Sequence, residues 1–342
     1  MKTAIISPSG KFYGSEQTLF NFLALTENFD VYIKEEPNGL FDKLKNESYK
    51  HSYFLFNNLT VLYFIIALKS VFLYKKIYVN EAGHSKYIIF LAKLLFWKNF
   101  YIHVRLTEDV DSSRWQGIGE NIILISTSSY IADSILKEIN IISPVISSPA
   151  RGFKSNIGWN LNIDNKTKLN FGVIGRLTAT KGILEMDKFL SYLEEKNVDA
   201  YVFHFFGDVE ATDAQVIKLR DKWQNFKNIR TEFHGFIADK TLIYDAIDVV
   251  LHFNKNEPLG VIFLESLNQN VPFIGFDSGG IGVIAKNLGL RNEMVDFKAN
   301  WCSEFLHKIE KIDIKKYIKA KEIMLTVYSP HEYCRQIENL IK

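Results

Sequence analysis

LNFGVIGRLTATKG, residues 169–182, joins an apolar, β-branched run to a loop bearing glycines and two cations at the start of a helical stretch. A run of this kind, without polar alternation, is what a strand covered on both faces looks like. Four similar runs follow: AYVFHFFG at 200–207, NIRTEFHG at 228–235, DVVLHFN at 248–254 and PFIGFD at 272–277. The segments between them are long enough for crossover helices, which predicts a parallel, doubly wound sheet.

The N-terminal half follows the same grammar. KTAII at 2–6 reads as a buried strand, followed by a Ser/Pro/Gly loop through Gly14 and a helix with Leu19, Phe22, Leu23 and Thr26 at helical spacing. Further strands are expected at 31–33, 76–80, 99–105 and 121–126. Between the halves, residues 147–168 are rich in Ser, Asn, Gly and Lys and form the expected linker. A chain of 342 residues suits two domains. The fold class is therefore α/β, two doubly wound Rossmann-like domains facing across a cleft, with ligands at the carboxyl ends of the strands.

Composition excludes several classes. Lys and Arg number 41 against 39 Asp and Glu, a net +2, which is not the basic excess of a chain that lives on nucleic acid. With 47% hydrophobic residues the chain is not disordered. Cys302 and Cys334 lie far apart, without the spacing of a disulfide framework or zinc ribbon, and fit a reducing cytoplasm. MKTAIISPSG lacks the apolar core of a secretory signal, and LTVLYFIIAL at 59–68 stops at Lys69, short of a bilayer span.

Two loops carry the chemistry. Gly175, Arg176, Lys181 and Gly182 share one loop that opens a helix, where backbone amides, the helix dipole and two cations suit a diphosphate. The plainer alternative is a pair of solvated loop charges. In KNEPLGVIFLE, Glu257 sits in the loop after a strand and Glu265 lies on the helix that begins near Gly260. Carboxylates of this kind accept hydrogen bonds from the paired hydroxyls of a ribose or hexose.

The order G-R-x(4)-K-G, E-P-x-G-x(4)-E and V-P-x-I-x(3)-S-G-G, over roughly 169–285, resembles the donor half of a family 4, GT-B type retaining glycosyltransferase of group 1. The resemblance implies that Arg176 and Lys181 hold the nucleotide diphosphate and offset the charge of the leaving group. It assigns Glu265 to the ribose and Glu257 to the transferred sugar. Gly175 and the backbone around Leu259, Gly260 and Val261 would line the phosphates, and Phe236 and Ile237 the base. It implies domains at 1–160 and 161–325, with a last helix at about 326–342 returning to the first. On the N-terminal side Gly14 matches the family's glycine loop, although Tyr13 stands where a second glycine is usual, and a plain strand-to-helix turn is the alternative. His103 or Arg105 would match the family's histidine near the reacting sugar, a packed core histidine being the alternative for His103. Val283 departs from the family, where many relatives carry a glutamate.

The implied activity is retaining transfer of a hexosyl unit from a nucleotide diphosphate sugar, UDP ahead of GDP, to a glycan or lipid-linked saccharide in surface polysaccharide or glycolipid synthesis. No cofactor or metal is expected, the leaving diphosphate oxygen taking the acceptor's proton. A non-catalytic sugar-nucleotide-binding partner and a nucleotide-sugar epimerase of the same fold are the alternatives. Asp109 and Asp111 form the D-x-D metal signature of the other large glycosyltransferase fold, or simply an acidic loop with Glu108. Between Lys69 and Arg105, seven bases (Lys69, Lys75, Lys76, Lys86, Lys93, Lys98 and Arg105) face the single acid Glu81 and interleave with aromatics. This segment reads as a surface for anionic lipid on the inner face of the cell membrane, or as a core-facing helix with lysines at its rim.

Overall fold

The computed structural model describes residues 2–45, 50–150, 158–161, 163, 166, 168–198, 200–210 and 213–342. Much of the expected linker, at 151–157, 162, 164, 165 and 167, lies outside the described residues. The chain forms two compact units, residues 1–149 with 328–342, and residues 150–327.

In the first unit the elements run β1 (Lys2–Ser7), α1 (Gly14–Ala24), β2 (Asp30–Lys34), α2 (Leu40–Leu44), β3 (Ser52–Phe56), α3 (Leu59–Phe72), β4 (Tyr74–Val79), α4 (Ser85–Leu94), β5 (Asn99–Val104), β6 (Ile122–Ser126) and α5 (Ser129–Ile139). The strands pair in parallel in the order β3-β2-β1-β4-β5-β6, the Rossmann order, with the switch point between β1 and β4. Successive side chains of β1 enter opposite cores. Ala4 and Ile6 pack with Ile77, Ile88 and Ile102, whereas Ile5 packs with Leu19, Leu23 and Val31. Burial on both faces explains why these strands read as apolar runs rather than alternating ones.

Strand β3 was not among the expected strands. It is the sheet edge, and only Phe56 of its five residues is buried. The Phe54 ring stacks on Tyr32 at 4.8 Å and is covered by Lys69, whose Nζ lies 3.8 Å from the ring centre. Its cover is thus supplied by residues remote in sequence.

In the second unit the order is β7 (Leu169–Ile174), α6 (Ile183–Glu195), β8 (Tyr201–Phe206), α7 (Ala214–Gln224), β9 (Arg230–Gly235), α8 (Lys240–Asp245), β10 (Val249–His252), α9 (Val261–Asn268), β11 (Phe273–Gly275), α10 (Gly279–Asn287), α11 (Trp301–Glu310) and α12 (Ile314–Val327). The sheet is parallel, β11-β10-β7-β8-β9, so the chain winds outward through β8 and β9 and then reverses through β10 and β11. The switch point lies between β7 and β10, where such sheets take ligands. The final helix α13 (Pro330–Ile341) belongs to the first unit. There Tyr333, Cys334, Ile337 and Ile341 join the core of β1 and α1, and Thr3 Oγ1 and Lys76 Nζ donate to the Ile341 and Leu340 carbonyls at 2.6 and 2.8 Å.

Candidate active site

At the switch point of the second unit, two loops leave the ends of β7 and β10 and each runs into an uncapped helix. The first loop carries Gly175, Arg176 and Lys181 and ends at Gly182, the residue before α6, with φ +77°. A Cβ at Gly182 would stand 2.2 Å from the Phe253 carbonyl oxygen, so only glycine lets α6 begin hard against the end of β10. The second loop ends at Gly260, φ +92°, before α9, and a Cβ there would meet Ile281 at 2.3 Å. No side chain caps either helix, so the positive ends of both dipoles and the first-turn amides, apart from Phe263 N–H, which donates to the Gly260 carbonyl at 2.9 Å, suit an anionic ligand.

The two loops are joined by an ion pair, Lys181 Nζ to Glu257 Oε2 at 3.1 Å. Asn254 Nδ2 donates to the same oxygen at 3.0 Å, and His252 Nε2 stands 3.5 Å from it without an aligned hydrogen bond. Burial would push the Glu257 carboxyl up, but His252 and Lys181 outweigh burial and hold it well below the usual carboxylate range. Glu257 is thus an ionised acceptor. Gly280 N–H donates to the Glu257 carbonyl at 2.7 Å, fixing this loop to the start of α10. Arg176 is exposed at the rim, with no ion pair or hydrogen bond among the described residues.

Glu265 lies inside α9, almost wholly buried, and Lys240 Nζ donates to both of its oxygens at 2.7 and 2.8 Å. Tyr244 Oη approaches the same carboxylate at 3.5 Å. Lys240, the first residue of α8, was not singled out from the sequence; its signal is a cation opening a helix after a strand, as at Lys181. Four residues earlier, Phe236 is 75% exposed in the loop that follows β9, and Ile237 is half-buried. Leu259 is buried, and Val261 and Val283 are half-buried on α9 and α10.

Residues 157–325 match the family model described as glycosyl transferases group 1. Over this segment the chain resembles the group 1 glycosyl transferases. No curated protein matches the sequence. Among solved structures, HepE of Anabaena in complex with UDP is similar at TM-score 0.76 and 16% identity, over 99% of each chain. A glycosyltransferase from Rickettsia africae ESF-5 is similar at TM-score 0.72 and 16% identity, over 100% of this chain and 98% of that one. The lipopolysaccharide outer core galactosyltransferase WaaB, in its apo form, is similar at TM-score 0.68 and 15% identity, over 100% and 99%. These likenesses fix the fold as GT-B, two Rossmann-like units.

In the first unit of this glycosyltransferase, Gly14 opens α1, and Glu16 accepts from the Tyr13 N–H at 3.1 Å in a capping box. His103 is completely buried in β5. Its Nδ1 meets Tyr78 Oη at 3.0 Å, its ring packs on Tyr333, and its Nε2 has no partner among the described residues. Burial first, then Arg105, drives its pKa well below the ordinary value, so the imidazole is neutral. The position at the strand's end is taken by Arg105, which donates to Asn80 O at 2.8 Å, Asn80 Oδ1 at 3.0 Å, Ser148 Oγ at 2.8 Å and Tyr333 Oη at 3.2 Å. At the β1/β4 switch point Glu81 accepts from Ser9 N–H at 2.9 Å, a role no motif signalled.

Asp109 and Asp111 do not form a carboxylate pair. Asp109 is buried against Arg114 at 2.8 Å, with its carboxyl pushed up to about 6 chiefly by burial. Asp111 is exposed and accepts from Ser113 N–H at 2.9 Å, opening the next turn. The basic, aromatic segment also divides. Lys98 is buried, Lys69 covers Phe54, and Lys76 holds Leu340, which leaves Lys75, Lys86 and Lys93 exposed. Helices α3 and α4 bury Leu62, Ile66, Ile88 and Leu91 on one side. On the other they expose Phe64, Leu68, Phe72, Phe90 and Leu94. Stacking of Tyr63 on Tyr87 at 5.6 Å sets the two helices side by side.

Proposed function

We propose that this glycosyltransferase moves a hexosyl unit from a UDP-sugar to a glycan or lipid-linked saccharide with retention of configuration and without a metal ion. The observation that carries the proposal is the placement of Lys181 and two uncapped helix starts beside ionised Glu257, with Arg176 exposed in the same loop as Lys181. A donor diphosphate would draw Lys181 and Arg176 onto its oxygens and rest on the first-turn amides of α6 and α9, where charge grows as the glycosidic bond breaks. Glu257, released from Lys181, accepts hydroxyl hydrogen bonds from the sugar and orients the anomeric carbon. Glu265, held at both oxygens by Lys240, is the acceptor for the ribose hydroxyls, and exposed Phe236 offers a face for the base. With Glu257 ionised and paired to Lys181 rather than to a second carboxylate among the described residues, the acceptor's proton passes to the leaving diphosphate oxygen on the same face of the sugar. The separate engagement of Asp109 and Asp111 supports a step without a metal. UDP is favoured as the nucleotide because HepE was solved with UDP and with UDP-glucose.

The acceptor side of the proposal rests on α3 and α4. Their exposed Phe64, Phe72 and Phe90, ringed by Lys75, Lys86 and Lys93, suit the headgroup layer of an anionic membrane, which would bring a lipid-linked acceptor to the first unit.

The donor test is thermal stabilisation by UDP, GDP and ADP in chelator, followed by turnover of Lys181→Ala and Arg176→Ala. UDP should stabilise without added metal, and each variant should lose turnover by on the order of 10² or more. Unchanged turnover in both, or no stabilisation by any nucleotide, sinks the assignment. Binding without transfer would instead mark a non-catalytic partner.

A further inference from the structure

Away from the switch point, the second unit carries a cluster that the glycosyl-transfer chemistry leaves unused. His204 on β8 pairs in register with Glu232 on the edge strand β9, and His234, two residues further along β9, shares their face. The geometry points to a site for one divalent zinc-class ion, held by His204 Nδ1, His234 Nε2 and Glu232 Oε2, with its fourth position left to water.

The three donor atoms already stand at the spacing a metal imposes. His204 Nδ1 is 3.0 Å from His234 Nε2 and 3.4 Å from Glu232 Oε2, and the latter two are 3.7 Å apart. Tetrahedral ligands at about 2.0–2.1 Å from zinc lie about 3.3 Å from one another. One point therefore satisfies all three atoms without movement of the backbone.

The surroundings orient each ligand. Asn170 Nδ2 approaches Asp248 at 3.4 Å, which turns Asn170 Oδ1 toward His204 Nε2–H, the donor across 3.1 Å. That bond leaves His204 Nδ1 as a bare lone pair and supplies the outer partner that metal-bound histidines usually have. Arg230 occupies Glu232 Oε1 at 2.7 Å, so Oε2 is the oxygen offered to the histidines. The Phe206 ring stacks on both imidazoles, 6.1 Å from His204 and 4.7 Å from His234, and fixes their planes. Without metal, His234 Nε2–H donates to His204 Nδ1. On binding, that proton moves through solvent to His234 Nδ1, so the net charge of the imidazoles is unchanged. His234 and Glu232 side chains are 31% and 29% exposed, which gives the ion an entry path and a water for its open position. Two imidazoles and one carboxylate are a familiar zinc set, and cobalt substitutes for zinc in such sites.

The test uses the full-length, tag-free chain, stripped with chelator and titrated with Co²⁺ as a coloured probe. The wild type should develop visible absorption that saturates at one equivalent and is bleached by Zn²⁺. His234→Gln and Glu232→Gln should each weaken binding by about tenfold or more, and Asn170→Ala, which touches no metal, by about tenfold. Circular dichroism in chelator checks that the variants fold; should one fail, the wild-type titration and the other variants decide. Absence of the cobalt spectrum in the wild type, or an unchanged titration in both ligand variants, overturns the site.

Discussion

Glu81 sits where the first sheet reverses direction, and in the sequence it stood out only as the single acid among seven bases. Burial, and then the neighbouring Glu16, push its carboxyl from the ordinary 4.5 up to about 7. In the unfolded chain the group ionises near 4.5, so between the two values the folded unit holds a proton that the unfolded chain has released. Stability from this group is therefore full below about 4.5 and is lost as pH rises through about 7. Glu81→Gln should raise the unfolding free energy more at pH 8 than at pH 5, by on the order of 2 kcal/mol. An equal gain at both pH values would remove Glu81 as the cause. At this scale legibility was uneven for a physical reason. The loop positions of Arg176, Lys181 and Glu257 were readable because each loop follows directly on a strand end. Lys240 was not, because its partner Glu265 lies 25 residues on and the pairing exists only once α8 and α9 are packed.

Among the elements, α6 has the strictest starting condition. Gly182 combines φ +77° with a Cβ position 2.2 Å from a backbone carbonyl, whereas Gly289, φ +71°, has open space around its Cβ. Gly289→Ala meets only the left-handed backbone cost, about 1 kcal/mol. Gly182→Ala should cost about 3 kcal/mol, since α6 must also retreat from β10. It should also weaken UDP stabilisation by moving Lys181. Chemical denaturation of the two variants checks this, and equal costs would show that the close approach is dispensable. The central strands were legible because both of their faces are covered, giving unbroken apolar runs. The edge strand β3 was not, because Leu55 is exposed and Phe54 is covered by Lys69, a contact that no local pattern in SYFLF records.

For the molecule as a whole, the membrane role proposed for the exposed apolar surface of α3 and α4 is open to a direct test. Wild-type protein should sediment with vesicles of anionic lipid and much less with neutral ones, each nearby lysine contributing about 1 kcal/mol. Phe64→Glu with Phe72→Glu should lower vesicle affinity by on the order of a hundredfold, since two exposed rings would no longer enter the lipid. Because these side chains are 64% and 81% exposed, the fold should be unaffected. Wild-type protein that stays in the supernatant with anionic vesicles would refute the membrane role. The sequence segment left two alternatives open, membrane face or core face, and the helices have a buried core side and an exposed apolar side: lysine and phenylalanine positions alone do not tell which side of a helix the sheet will take.

The return of α13 to the first unit has a consequence for biosynthesis. The segment that covers β1 and α1 is translated after every residue of the second unit. On the ribosome the later unit, continuous in sequence, can complete its core while the earlier one still waits for Tyr333, Ile337 and Ile341. Nascent chains halted before α13 would expose that apolar face to chaperones, and the order of maturation would run opposite to the order of synthesis.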